Sequence, residues 1–199
     1  MTIRRGEEWG TTVPRPPGLV VLASDAALAE YVAAGGESPC TLSGGDIHRS
    51  LGSPAERDPV MRLPMDALEV ELDGRRILAV AHVVVRPSGR LGWWRGPLLA
   101  VMNTDHVGEW NVAPRAHPDD GRFDVVEVSP SMRLRDRWQA RARLAQGTHL
   151  PHPDITVRTA DTAEWAFERP RLVVVDGVPR GTVNGLVVRL SPDRFAIHV

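Results

Sequence analysis

The sequence predicts a mostly β, sandwich-like domain with one inserted helix, preceded by a small α/β appendage, so that the chain as a whole is α+β. Beyond residue 60, apolar and polar residues alternate with period 2 in many short runs separated by Pro, Gly and Asp turns. Many short strands at such spacing form a sandwich or a barrel. One run, residues 133–145, changes to helical spacing. Ahead of residue 60, a short apolar run leads into one helical run closed by two glycines, which is a βα unit. The chain therefore divides into an extended arm (1–18), a reduced α/β unit (19–59) and a β domain (60–199).

The arm is polar and proline-rich, and Val13-Pro14-Arg15-Pro16-Pro17 follows neither period. Residues 18–24 (GLVVLAS) form a buried-strand run, and Asp25 is placed to cap a helix over 26–34 that Gly35-Gly36 ends. A second apolar run, 39–42, enters Ser43-Gly44-Gly45-Asp46-Ile47-His48-Arg49, a glycine turn with helix-like residues behind it. The loop 52–58 closes this section. In the β domain Leu68, Val70 and Leu72 alternate with Glu69 and Glu71, and Asp73-Gly74 turns the chain into 77–86 as a tight hairpin. Further strands are expected over 98–102, 123–128, 155–159, 172–175, 185–190 and 195–199. In the helix over 133–145, Leu134, Trp138, Ala142 and Ala145 share one stripe, and Arg133, Arg137 and Arg141 share another.

Twenty-four basic against 25 acidic residues leave a formal net charge of -1, so the molecule has no overall electrostatic attraction to nucleic acid. Every basic residue is Arg, which removes chemistry that needs a lysine: Schiff bases, the P-loop lysine and the protein-kinase lysine. A single cysteine, Cys40, cannot form an internal disulfide, and no signal-like segment opens the sequence, so a cytoplasmic setting is expected. No apolar run approaches the ~18 residues a membrane-crossing helix needs, which leaves peripheral contact as the only membrane role expected. His149 and His152 are half a zinc site without HExxH or paired-cysteine spacing, and they read as a proline-stiffened loop.

From Asn111 onward four landmarks occur in order. They are Pro114-Arg115-Ala116-His117-Pro118-Asp119-Asp120-Gly121-Arg122-Phe123-Asp124, the Arg-rich helix, Gly147-Thr148-His149-Leu150-Pro151-His152-Pro153, and Asp176-Gly177 behind a Val-rich strand. In this order and spacing the chain resembles the carboxy-terminal domain of bacterial diacylglycerol-kinase-like and YegS-like lipid kinases, of the NAD kinase/diacylglycerol kinase-like superfamily, over residues 64–199.

The resemblance implies an amino-terminal nucleotide-binding half with a Gly-Gly-Asp-Gly-Thr loop, whose glycines let backbone N–H groups approach phosphate. Gly44, Gly45 and Asp46 are a degenerate form of that loop. Ile47 stands where the third glycine belongs and is expected to obstruct the approach, and the stretch ahead of residue 60 is short for several βα units, so no ATP is expected to bind. The family's Asp-Gly-Glu turn supplies a carboxylate base for the substrate hydroxyl. Here the turn reads Asp176-Gly177-Val178, and Val178 cannot accept a proton. A structural Mg²⁺ or Ca²⁺ is implied on Asp120 with the main-chain carbonyls of His117 and Arg122, against the alternative of a plain turn at Asp119-Asp120-Gly121. Trp93 and Trp94, adjacent on a strand, point to opposite faces. One of them is available to a partner or, with Trp110, to an apolar lipid cleft that Asp176 also faces.

The function expected is that of a lipid-kinase-like protein, inactive by itself, binding a lipid-like or phosphorylated ligand or a partner near Trp93, Trp94 and the 44–49 loop. One alternative is half of a split lipid kinase completed by a separate nucleotide-binding subunit. Another is a homodimeric interaction module joined through a strand edge and the Trp pair.

Overall fold

The computed structural model describes residues 9–51 and 57–199. The start of the arm and most of the 52–58 loop lie outside the described residues. The appendage consists of β1 (Thr11–Val13), β2 (Val20–Leu22), α1 (Asp25–Ala33), β3 (Cys40–Leu42) and α2 (Asp46–Leu51). The β domain follows with β4 (Val60–Leu72), β5 (Arg75–Ala79), β6 (His82–Arg86), β7 (Leu98–Met102), β8 (His106–Val107), β9 (Trp110–Asn111) and β10 (Phe123–Val128). It ends with α3 (Leu134–Leu144), β11 (Ile155–Ala160), β12 (Thr162–Val175) and β13 (Val178–His198).

Nine strands make one sheet in the order β1-β4-β13-β12-β6-β7-β10-β11, with β5 also on β4, and all of its pairings are antiparallel. Leu68 and Val70 of β4, Val83 and Val85 of β6, Val101 of β7, Phe123 and Val125 of β10, Val173 of β12 and Leu186 of β13 meet in one core. Residues from strands far apart in the order can meet only if the sheet curls around them, which makes it sandwich-like. The long strands allow the curl: β13 pairs with β4 over Leu186–Ser191 and again over Phe195–His198, with an irregularity between.

The middle strands are buried on both faces. Val84, Ala100, Met102 and Val126 point away from the main core and join Met132 and Ile155 in a second cluster. Double burial explains why HVVVR and LLAVM read as unbroken apolar runs. A third cluster ties on the appendage. Leu28, Ala29 and Val32 of α1, with Leu42 and Ile47, pack on Leu63, Met65, Val80, Ala81 and Ile197 of the sheet. Each fully buried Leu or Ile there stabilises by roughly 1.5–3 kcal/mol.

Several elements differ from expectation, each for a physical reason. The arm contributes an edge strand, with Thr11 opposite Arg62. Ser24, not Asp25, caps α1, its Oγ accepting the Ala27 N–H at 3.2 Å. The strand expected over 77–86 is cut between β5 and β6, because the Val80 and Ala81 amides donate to the Asp176 carboxylate instead of a ladder. The runs 172–175, 185–190 and 195–199 are parts of the longer β12 and β13. Helix α3 lies where its spacing placed it, but its buried residue is Arg137, 5% exposed, while Leu134 and Trp138 are 50% and 65% exposed and Arg133 and Arg141 are exposed as well.

Candidate functional site

The glycine turn sits against the β domain through carboxylates. Gly45 has a φ of 101°, and a side chain there would meet the Asp25 carboxylate at 2.5 Å. Asp25 is buried, and its two oxygens accept the backbone N–H groups of Asp46 (2.5 Å) and Ile47 (3.2 Å). The sequence expects the Ile47 side chain to obstruct this turn. That side chain is fully buried in the appendage core, and Asp25 fills the turn. Burial, together with the nearby Asp176 and Asp46 charges and against the two N–H bonds, pushes the Asp25 carboxyl up to about 7.

Asp46 in turn reaches the sheet. Its Oδ1 accepts the Gly108 N–H at 2.8 Å, and its Oδ2 lies 3.2 Å from His82 Nδ1. The amides of His82, Ala81 and Val80 donate to Asp176 at 2.9–3.0 Å. Asp176 is buried, and burial raises its carboxyl above the usual range. Asp176-Gly177 forms a left-handed turn (φ 47° and 78°) from which Val178 starts β13. Asp25, Asp46, His82 and Asp176 thus make one buried polar line across the junction, closed by Ser50 Oγ donating to Asp105. Asp25 and His82 were missed in the sequence. The helix-start signal at Asp25 was genuine but belonged to Ser24, and His82 stands in an apolar strand with no motif.

The Asp119 loop forms a second carboxylate group. Asp120 Oδ1 accepts the Arg122 N–H at 3.1 Å, as a turn residue does. His117 Nδ1 accepts the Asp119 N–H at 3.3 Å, and its ring packs edge-on to Trp9. Asp66 accepts from Gly121 and Asp193. Buried Asp119 keeps Oδ1 without a partner, and burial followed by the Asp66 charge pushes it up to about 6. Among the described residues no three His, Cys, Asp or Glu side chains converge as a metal site. A hard cation would rest on Asp119 or Asp120 with main-chain oxygens, and the orphaned Asp119 oxygen fits that role. His149 and His152 do not converge: His149 lines a cavity, while His152 Nδ1 accepts the Asp154 N–H.

Trp93 and Trp94 lie away from the glycine turn, in a cavity of about 110 Å³ under α3. Val84, Ala100 and Val126 form its sheet wall, Trp93, Trp94 and Trp110 its side, and Arg137 and Leu144 line it from α3. Trp93 and Trp110 meet edge to face at 5.5 Å, and Arg141 stacks over Trp110 at 4.3 Å and Trp94 at 5.4 Å. Arg137 Nη2 donates to the carbonyls of Gly96 (2.6 Å) and Ser129 (2.7 Å) and Nε to that of Met132 (3.2 Å), while Nη1 has no partner. The expected single cleft is therefore two places. Asp176 belongs to the junction and the tryptophans to the cavity, with the β8–β9 hairpin between, its Gly108 on Asp46 and its Val107 and Trp110 on the cavity.

A curled antiparallel sheet crossed by one helix, with an Asp-Gly turn facing a glycine loop, defines the β half of the lipid-kinase class. Residues 61–199 match the YegS C-terminal NAD kinase beta sandwich-like domain, and the chain belongs to that family. Two solved structures of Bacillus anthracis str. Sterne proteins assigned as diacylglycerol kinases share the fold at 13% and 14% identity, with TM-scores of 0.66 and 0.63. Each alignment covers 90% of this chain and 77% of the other. A third structure, of a diacylglycerol kinase from the same strain, aligns at 14% identity with a TM-score of 0.57, covering 90% of this chain and 75% of the other. No curated protein matches. Among the described residues no helix is long and apolar enough to cross a membrane.

Proposed function

We propose that the protein is a lipid-kinase-family member that does not transfer phosphate by itself and binds a lipid-like ligand in the cavity under α3. The observation that carries this reading is the Asp25 carboxylate on the Asp46 and Ile47 amides. A carboxyl group in the cradle takes the donors that would bind a phosphate, and in its ionised form it also repels one at close range. The position of the family base agrees, since Val178 has no proton acceptor. The cavity supports the ligand half of the reading. Apart from Arg137, Arg141 and His149 its walls are aromatic and aliphatic; a dry apolar cavity of ~150 Å³ admits a benzene-sized guest, so this smaller one of about 110 Å³ suits the end of one alkyl chain.

The split-kinase alternative loses support at Val178, because a separate nucleotide-binding chain would bring its own phosphate loop and still find no proton acceptor at that position. Calorimetric titration with ATP is expected to show no binding, and incubation with ATP and diacylglycerol no product above a mock preparation. Solvent extraction of the purified protein is expected to release lipid. Turnover by the isolated chain overturns the non-catalytic half, and a protein that neither carries nor takes up lipid overturns the ligand half.

A further inference from the structure

The cavity under α3 is apolar in its walls and one-sided in its charge. Among the described residues that line it none is acidic, and the charged ones are Arg137 and Arg141. Arg141 is exposed and sets its guanidinium over the Trp94 and Trp110 rings. Arg137 is buried. A guanidinium carries five N–H donors. Here Nε gives one to the Met132 carbonyl and Nη2 gives two, to Gly96 and Ser129, so the two on Nη1 are left, buried and without a partner. Neutral carbonyls satisfy donors without neutralising the charge, and among the described residues no carboxylate lies within ion-pair distance of it. Burial works against that charge, and Asp154 supports it only through its field. An isolated buried charge is unfavourable, and an anion in contact removes much of the penalty. His149, 4% exposed, is a second buried polar group on the cavity wall. Neither of its ring nitrogens makes a well-formed hydrogen bond, and its polar neighbour is the Val112 backbone. Burial lowers the pKa of this ring, so it is neutral and carries one N–H.

From these groups we infer that the cavity is a carboxylate site, in which Arg137 Nη1 donates to an aliphatic monocarboxylic acid whose first carbons lie against Val84, Ala100 and Val126. The inference rests on the reading that the cavity takes an aliphatic ligand, and it adds that the end held inside is the acid end. Size agrees. At about 110 Å³ the space is roughly three-quarters of the ~150 Å³ that admits a six-carbon ring, which suits a carboxylate with the two or three carbons next to it. A short acid and the acid end of a fatty acid share this chemistry. A phosphate does not fit it, because its two charges and three terminal oxygens need more donors than Nη1 and one imidazole N–H supply. An amine would meet two arginines and no acidic residue. An alcohol would fill the same space and leave the Arg137 charge unpaired.

The test is an NMR titration of the full chain with pentanoate, 1-pentanol, pentylamine and decanoate. Pentanoate and pentanol share a chain length and differ in charge, so pentanoate is expected to bind more tightly by about tenfold or more, the effect of one hydrogen bond between charged groups. The largest shifts are expected at the Arg137 Nε–H and the His149 ring. The His149 pKa is expected to rise when the acid is bound, since a nearby anion favours the imidazolium. Pentylamine is expected not to bind. Decanoate separates the two sources: an affinity no higher than that of pentanoate makes the ligand a short acid, and a higher one makes it the end of a fatty acid. Arg137→Gln is expected to bring pentanoate down to the level of pentanol, and if that variant does not fold, the comparisons on the parent decide. Equal binding of pentanoate and pentanol would overturn the carboxylate inference and leave the aliphatic cavity standing, whereas binding of neither would overturn both. Pentanoate shifts confined to the exposed arginines of α3, or pentylamine binding as well as pentanoate, would also overturn the inference.

Discussion

Asp25 is a buried carboxyl group held on two backbone amides of the glycine turn. Its folded pKa of about 7 lies above the ordinary 3.8, so the folded protein holds this proton more tightly than the unfolded chain does. The stability it contributes is full below about pH 4 and is lost as pH rises toward 7, by about 4 kcal/mol at ~1.4 kcal/mol per pKa unit. Urea melts of the parent and Asp25→Asn between these pH values are expected to show the parent losing that increment relative to the variant. A difference that stays flat would mean that the two N–H bonds keep Asp25 ionised. Asp176 is a plainer case. Asp176→Ala leaves the amides of Val80, Ala81 and His82 without their acceptor, at roughly 1–3 kcal/mol for each one left unsatisfied. A loss of 3 kcal/mol or more is expected by denaturant titration, and a smaller loss in Asp176→Asn, which keeps one acceptor oxygen.

At the scale of elements, α3 and the loops beneath it behave as one unit because Arg137 gathers three carbonyls from residues 96, 129 and 132. Arg137→Met is expected to cost about 3 kcal/mol, since hydrogen bonds to a charged group are worth roughly 1.5–3 kcal/mol and three carbonyls lose their donor. Amide exchange should quicken along α3 in that variant. Trp138→Ser on the opposite face should change stability by no more than about 0.5 kcal/mol and leave exchange unaltered. If Arg137→Met exchanged like the parent, the helix would be held by apolar contacts instead. The gap between β5 and β6 is of the same kind: a side chain from a distant turn takes the amides, and the strand divides there.

For the whole molecule, three apolar clusters share one sheet, so the appendage, the curled core and the α3 side are expected to unfold together. The Asp119–Asp120 loop offers a handle on that unit. If Mg²⁺ or Ca²⁺ binds there and only to the folded state, a hundredfold excess over Kd adds about 2.7 kcal/mol. Melting temperature is expected to rise in millimolar cation for the parent, and neither Asp119→Asn nor Asp120→Ala should show the rise. An identical melting temperature with and without cation would leave the loop as a turn held by the Asp120 bond to Arg122.

The strands of the β domain were legible because period 2 is a local property. Residues 98–102 and 123–128 are strands to the residue, and 68–72, 77–79 and 82–86 fall within β4, β5 and β6, since turn residues bound them and both neighbours in space are apolar. The Gly44-Gly45-Asp46 turn and the Asp176-Gly177 turn were legible for the same reason, being conformations that particular residues favour. The β12 segment over 162–171 was not, because EWAFERPR shows no clean alternation. Nor was the site itself. That Asp25 fills the glycine turn depends on contacts across 21 and 22 residues of chain, and that Asp46 meets His82 depends on how the appendage docks. The facing of α3 is the clearest instance. Its spacing defines two stripes and cannot say which is buried. Three carbonyls and two tryptophans, brought together only when the sheet has curled, hold Arg137 in the interior and Arg141 over the rings.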